Sequence, residues 1–133
     1  DGSIDCVVTD HAPHAPHEKD CEWEIAFFGT VGLETSLPLM LTKLVNPGRM
    51  SWKRLVEVMA VNPRQILRLA PVRIERGSAA DLTLIDPAAE FEVTPDYLVG
   101  KSKNSAFMGW HLTGQATDVF VDGRRTLANG VVA

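Results

Sequence analysis

The chain is poor in cysteine, carries no excess of positive charge and has no long apolar run, and each shortage excludes something. Its 133 residues include only two cysteines, Cys6 and Cys21. They are far from any Cys-X-X-Cys spacing, so neither a disulfide framework nor a thiolate zinc knuckle is indicated. A reduced, cytoplasmic setting is the default expectation. Thirteen Lys and Arg against seventeen Asp and Glu give a formal charge of −4, which argues against nucleic acid and anionic membrane as main partners. No apolar stretch approaches the roughly 20 residues that span a bilayer, and no signal-peptide pattern opens the sequence. Repeats and low-complexity tracts are missing, and so is any His-X-His pair. A catalytic zinc needs three protein ligands, so this chain is not expected to hold one unaided. Its first residue is Asp1 rather than Met, and an apolar run begins at once. The expectation is a piece of something longer.

What is present is concentrated near the start. Ile4, Cys6, Val7 and Val8 form a short, partly β-branched run that reads as a buried strand. Thr9, Asp10, His11, Ala12, Pro13 and His14 follow, and Pro13 has no N–H with which to continue a ladder. Asp10 therefore stands where a strand hands over to a loop, the rim on which strand-and-helix barrels place their chemistry. An acid with two imidazoles at such a rim suggests a metal-assisted or general-base site. The plainer alternative is a surface turn with Asp10 as a cap. His14 is expected to face the same pocket as Asp10 and to hold an anionic substrate group. His11 is expected to turn away, into packing or a supporting hydrogen bond.

Further along, Leu33, Leu37, Met40, Leu41 and Leu44 recur at helical spacing and predict an amphipathic helix over about 30–45, with Pro38 kinking it or delaying its regular part. Phe28-Gly29 before it would let a backbone amide approach a ligand, with Thr30 capping the helix; the alternative is a plain helix entry. Ser51 reads as an N-cap for a helix with Trp52, Leu55, Val56 and Met59 on one face. Asn62-Pro63 predicts a second capped start. From about residue 71 the pattern changes to short strands and turns. Leu82–Ile85 reads as a strand ended by Asp86-Pro87, Phe91–Val93 as another, and Val119–Val121 with Arg124–Leu127 as a hairpin about Asp122-Gly123. Lys101-Ser102-Lys103-Asn104 reads as a solvated turn and Arg124-Arg125 as solvated charge. Trp23, Trp52 and Trp110 are expected in the core or an interface, since no basic patch accompanies them. The division falls near 70–76: 1–70 as one unit and 71–133 as another.

The string from Asp1 to His14 resembles the last barrel strand of the type I dihydroorotases of the amidohydrolase superfamily. The likeness continues through Glu18-Lys19, Phe28-Gly29, Gly32-Leu33-Glu34-Thr35, Asn62-Pro63, Gly77-Ser78-Ala79-Ala80-Asp81-Leu82, Ser102-Lys103-Asn104, Phe107 and Gly109-Trp110. It implies an α/β fold: the C-terminal part of a (β/α)8 TIM-type metal-dependent hydrolase barrel in 1–70, and the C-terminal strands of a small β-sandwich in 71–133. It implies the reversible, zinc-dependent cyclisation of N-carbamoyl-L-aspartate to L-dihydroorotate in pyrimidine biosynthesis. Asp10 matches the family's metal ligand and catalytic acid/base, which takes a proton from the attacking water and returns one to the departing amide nitrogen. His14 matches a substrate-binding histidine, and Phe28 and Gly29 match a segment whose backbone contacts the pyrimidine ring. Phe27 stands where the family commonly has proline. The family's His-X-His pair, carboxylated lysine and two further histidines are not in this chain, and a whole barrel takes about 250 residues. This chain alone is therefore expected to be inactive, with apolar faces exposed. Two rivals stand beside this reading: a related cyclic amidohydrolase such as an allantoinase or hydantoinase, and a catalytically silent relative that partners aspartate transcarbamoylase. Association with a second copy is left open.

Overall fold

Short helices occupy the first half and one antiparallel sheet the second, in a computed structural model that describes residues 2–132. Asp1, which opens the motif string, and Ala133 lie outside the described residues. The expected strand near Ile4–Val8 does not form a ladder. Val7 N–H bonds to Val58 O (3.0 Å) and a single parallel bridge joins His11 to Thr30. A strand exists only with a neighbour to pair with, and among the described residues none lies beside this segment.

Helix α1 (Pro16–Lys19) has Ala15 at its N-cap, where no side chain can help, and Glu18 Oε2 accepts the Ala15 N–H instead (2.7 Å). Helix α2 (Leu33–Met40) begins later than the periodicity predicts. Thr30 is not its cap: Thr30 bridges to His11, and Gly32 takes the cap position with no side chain to offer. Pro38 sits inside the helix and is buried. It cannot donate to the Glu34 carbonyl one turn back, and the Tyr97 hydroxyl donates to that carbonyl instead (3.0 Å). The helix then widens into a π-helical stretch, Leu41–Val45.

Ser51 does cap helix α3 (Trp52–Val56), its Oγ accepting from Arg54 N–H at 3.2 Å. The chain stays helical through a second π-helical stretch, Glu57–Val61, into α4 (Asn62–Ile66). Asn62 is thus not a cap. Its N–H already bonds within the helix, and its side chain is free to reach Asp5 O (2.7 Å).

The sheet has order β1-β2-β3-β4, with β1 Leu82–Glu92, β2 His111–Val121, β3 Arg124–Ala128 and β4 Val131–Val132. Asp86-Pro87 does not end β1. It forms a bulge between Asp86 and Glu90, where a missing N–H costs nothing, so Phe91 belongs to the same strand. The β2–β3 hairpin turns on Asp122 and Gly123 at φ +48° and +76°, the signs a type I′ turn requires.

Both halves contribute to one core. Val31 comes from the first, Val93, Leu98 and Leu112 from the second, and all are 2% exposed or less. Opposite the β1 bulge, Gly114 (φ +94°) lets β2 lie directly on Leu41, where any Cβ would run into the Leu41 side chain. Beside it Thr42 Oγ1 accepts Thr113 N–H (2.8 Å), fastening the π-helical stretch to β2.

Candidate active site

The Asp10–His14 loop is shaped by what its neighbours offer the backbone. Asp10 adopts φ +46°, a left-handed conformation that Asp tolerates better than most residues, and it is exposed. One step later Ala12 N–H bonds to Thr30 O (3.0 Å), tying this loop to the segment before α2. His11 turns away from Asp10, as expected. Its Nδ1 accepts N–H groups of Gly32 (3.1 Å) and Leu33 (3.4 Å), so the ring supplies the cap that Gly32 lacks.

His14 does not point into a pocket shared with Asp10. Among the described residues no hydrogen bond or ion pair joins the two. The His14 ring lies flat against Phe27 (5.5 Å between centroids), its Nε2 donates to Phe28 O (2.9 Å), and its Nδ1 is 3.6 Å from Glu18 Oε2. An open cleft of about 310 Å³ beside it is lined by Pro13, His14, Ala15, Pro16, Lys101 and Ser102.

All three carbonyls of the segment 27–29 are held by side-chain donors. Lys19 Nζ donates to Phe27 O (2.5 Å) and Gly29 O (3.1 Å), His14 to Phe28 O, and Asn104 Nδ2 to Gly29 O (2.9 Å). The N–H groups of Phe28 and Gly29 have no partner among the described residues. Gly29 has φ +121° and leaves room for Ala12, whose methyl a Cβ there would overlap.

Lys101–Asn104 is no solvated turn. Ser102 Oγ accepts His14 N–H (3.3 Å), and Asn104 O accepts from Val31 N–H (2.8 Å) and Thr30 Oγ1 (3.0 Å). Glu34 secures the approach to this loop by accepting Gly100 N–H (3.2 Å). Lys19, Ser102, Asn104 and Glu34 are the residues that reading the sequence left without a role. Their signal was polar side chains set between apolar segments, which does not say what they touch. None of the three tryptophans is in the core, Trp23 being 88% exposed, which leaves an interface as the place expected for them. One further expectation fails: Arg125 is not free charge but pairs with Asp118.

No family model matches the chain. A dihydroorotase from Geotalea daltonii is 52% identical over 124 residues, 93% of this chain and 29% of that protein. The chain is homologous to the dihydroorotases. It spans under a third of the length of the curated relatives it matches. An L-hydantoinase (dihydropyrimidinase) from Arthrobacter aurescens is 36% identical with a TM-score of 0.88, covering 98% of this chain and 30% of that one. The inactive dihydroorotase-like domain of a CAD-like multifunctional protein from Chaetomium thermophilum reaches a TM-score of 0.60 at 26% identity, over 78% of this chain and 27% of that one. The fold is accordingly that of a segment of an amidohydrolase barrel enzyme.

A metal is a separate matter. Among the described residues no three His, Cys, Asp or Glu side chains are grouped so as to hold a metal ion. His11 and His14 both spend a ring nitrogen on the backbone. Asp10 can offer one carboxylate, and the segment by itself does not fit a zinc ion. Among the described residues no helix is long and apolar enough to cross a membrane.

Proposed function

We propose that the chain is the C-terminal segment of a dihydroorotase, with 1–70 its last barrel strand and trailing helices and 71–133 the C-terminal part of its β-sandwich. The protein that contains it hydrolyses L-dihydroorotate to N-carbamoyl-L-aspartate and closes the ring in reverse. One observation carries this reading: the carbonyls of Phe27, Phe28 and Gly29 are all held away, which leaves two adjacent N–H donors beside the Asp10–His14 loop. A cyclic amide presents carbonyl oxygens that such donors satisfy. In this reading Asp10 accepts a proton as water adds to the ring carbonyl and delivers one to the nitrogen as the C–N bond breaks. The left-handed backbone at Asp10 is the kind of local strain found at working residues. His14 is a substrate-binding residue in this reading, its Nε2 keeping hold of Phe28 O. Zinc is the metal this reading calls for, with Asp10 one of its ligands and the others supplied by residues outside this segment.

The test is the full-length protein assayed with dihydroorotate, allantoin and hydantoin. Dihydroorotate is expected to be the best substrate, and Asp10→Asn is expected to lower kcat by at least about 100-fold, the usual worth of a positioned acid/base. Preference for hydantoin would favour the hydantoinase reading, which the 36% identity to an L-hydantoinase keeps alive. Absence of turnover with all three would favour a silent protein resembling the inactive domain of the CAD-like protein. In that case aspartate transcarbamoylase is the partner to test first. Soluble, cytoplasmic operation belongs to the same proposal.

A further inference from the structure

We propose that Lys19 and Asn104 are positioning residues for the substrate ring, acting through the carbonyls of Phe27 and Gly29 rather than by touching the ring. This rests on the reading of Phe28 and Gly29 as its backbone donors.

A trans peptide is planar, so the carbonyl of one residue and the N–H of the next point in opposite directions. Fixing Phe27 O therefore aims Phe28 N–H, and fixing Phe28 O aims Gly29 N–H. Lys19 Nζ holds Phe27 O (2.5 Å) and His14 Nε2 holds Phe28 O (2.9 Å). Gly29 needs the most help, because at φ +121° it has no side chain to limit its rotation. Its carbonyl is gripped by Lys19 at 3.1 Å and by Asn104 Nδ2 at 2.9 Å. Lys19 thus holds, from the end of α1, the peptide that carries the Phe28 donor and, together with Asn104, the peptide that follows the Gly29 donor, which fixes the far side of Gly29. Asn104 reaches the same oxygen from 75 positions further along the chain.

Asn104 is itself fixed. Its N–H donates to Ser102 Oγ (3.4 Å), which also accepts His14 N–H (3.3 Å), and its carbonyl accepts from Val31 N–H (2.8 Å) and Thr30 Oγ1 (3.0 Å). The loop between β1 and β2 thereby braces both the His14 loop and the 27–31 segment. It makes the second half of the chain a working part of the site rather than an appendage.

Ring recognition serves ground state and transition state alike, so loss of its alignment raises KM and leaves kcat largely unchanged. The experiment uses the full-length protein with Lys19→Met, Lys19→Arg and Asn104→Leu. Hydrolysis of dihydroorotate is expected to show KM raised about tenfold by Lys19→Met and by Asn104→Leu, the worth of about one hydrogen bond, with kcat within about twofold. Lys19→Arg should recover most of the loss. The Phe28–Gly29 amide signal, selected by labelling Phe carbonyl carbon and Gly nitrogen, should be single in the wild type and doubled or broadened in the Met and Leu variants. Unchanged KM with an unchanged amide signal overturns the proposal, as does a loss confined to thermal stability. A wild-type protein that turns over no dihydroorotate sinks the dihydroorotase reading instead. Positioning is then judged on whichever cyclic amide the protein does hydrolyse, and an unmoved Phe28–Gly29 signal still overturns it.

Discussion

Gly29 and Tyr97 make the clearest single-residue predictions. At φ +121°, with Ala12 and His14 Nε2 (3.3 Å) where a Cβ would go, Gly29 cannot be replaced without moving the motif loop. Gly29→Ala is expected to cost about 1–3 kcal/mol from conformational strain alone, seen as a lower denaturation midpoint of the full-length protein. Tyr97 reads out differently. Burial, and then the nearby Glu34 carboxylate, push its hydroxyl up to about 12. A group whose folded pKa is raised favours the fold most below its ordinary value, and that benefit is lost as pH climbs from 10.0 towards about 12. Tyr97→Phe should therefore flatten the alkaline side of the stability profile between those values. It should also cost about 0.5–1.5 kcal/mol at neutral pH for the lost bond to Glu34 O. Legibility at this scale was uneven. Asp10, His14 and Phe28-Gly29 stand out because their types are scarce and chemically loaded. Lys19 and Asn104 do not, because their meaning lies in which carbonyl they reach, and sequence distance hides that.

Between elements, the decisive contacts join the helical half to the sheet. Gly114 has φ +94° and sits where a Cβ would collide with Leu41, a residue with no exposed surface. Gly114→Ala combines backbone strain with overpacking and is expected to cost about 2–4 kcal/mol. It should separate the β1–β2 pair from α2, and faster exchange of the Thr113 amide, held by Thr42, would report this. The β2–β3 hairpin carries a pH signature. The Arg125 guanidinium hydrogen-bonded to Asp118 holds that carboxyl below its usual 3.8, with Thr117 and Asn129 assisting and burial opposing. A lowered pKa stabilises the fold above the unfolded value, and the gain disappears as pH falls below about 3.8. Asp118→Asn should therefore weaken the acid dependence of the thermal midpoint as pH falls through 3.8 and below; an acid limb identical to wild type there would contradict the pair's role. The elements visible in sequence were those with local causes, such as the Ser51 cap and the Asp122-Gly123 turn. Those misjudged had remote ones: Gly114 faces the bulge that carries β1 past Pro87, and Asp5 draws the Asn62 side chain away from any capping role.

At the scale of the molecule the balance of surfaces is wrong for a chain that stands alone. Phe28 is 94% exposed, Trp23 88% and Val8 75%, and Ile4, Ile25 and Phe27 are more than half exposed beside them. Residues 2–10 run extended in sequence character, yet they join no strand among the described residues: Val7 N–H reaches Val58 O, and the Arg54 and Asn62 side chains hold the carbonyls of Ile4 and Asp5. Single exposed apolar residues need no explanation, but so many large ones within residues 4–28 mark a face that something covers. The curated relatives are more than three times as long as the matched segment, and further barrel strands beside residues 2–10 would pair this backbone and bury these side chains together. From this it follows that the isolated 133-residue chain should self-associate, run larger than a monomer by light scattering and bind an apolar dye, while showing no turnover of dihydroorotate. Co-expression with the remaining segment of the full-length protein should suppress both the dye binding and the association, because pairing and burial compete directly with self-contact. A monodisperse monomer without dye binding would mean the exposed face is stable in water as it is. Turnover by the isolated chain at full-length rates would mean that the site is complete within these residues, and that the division of labour argued here is mistaken.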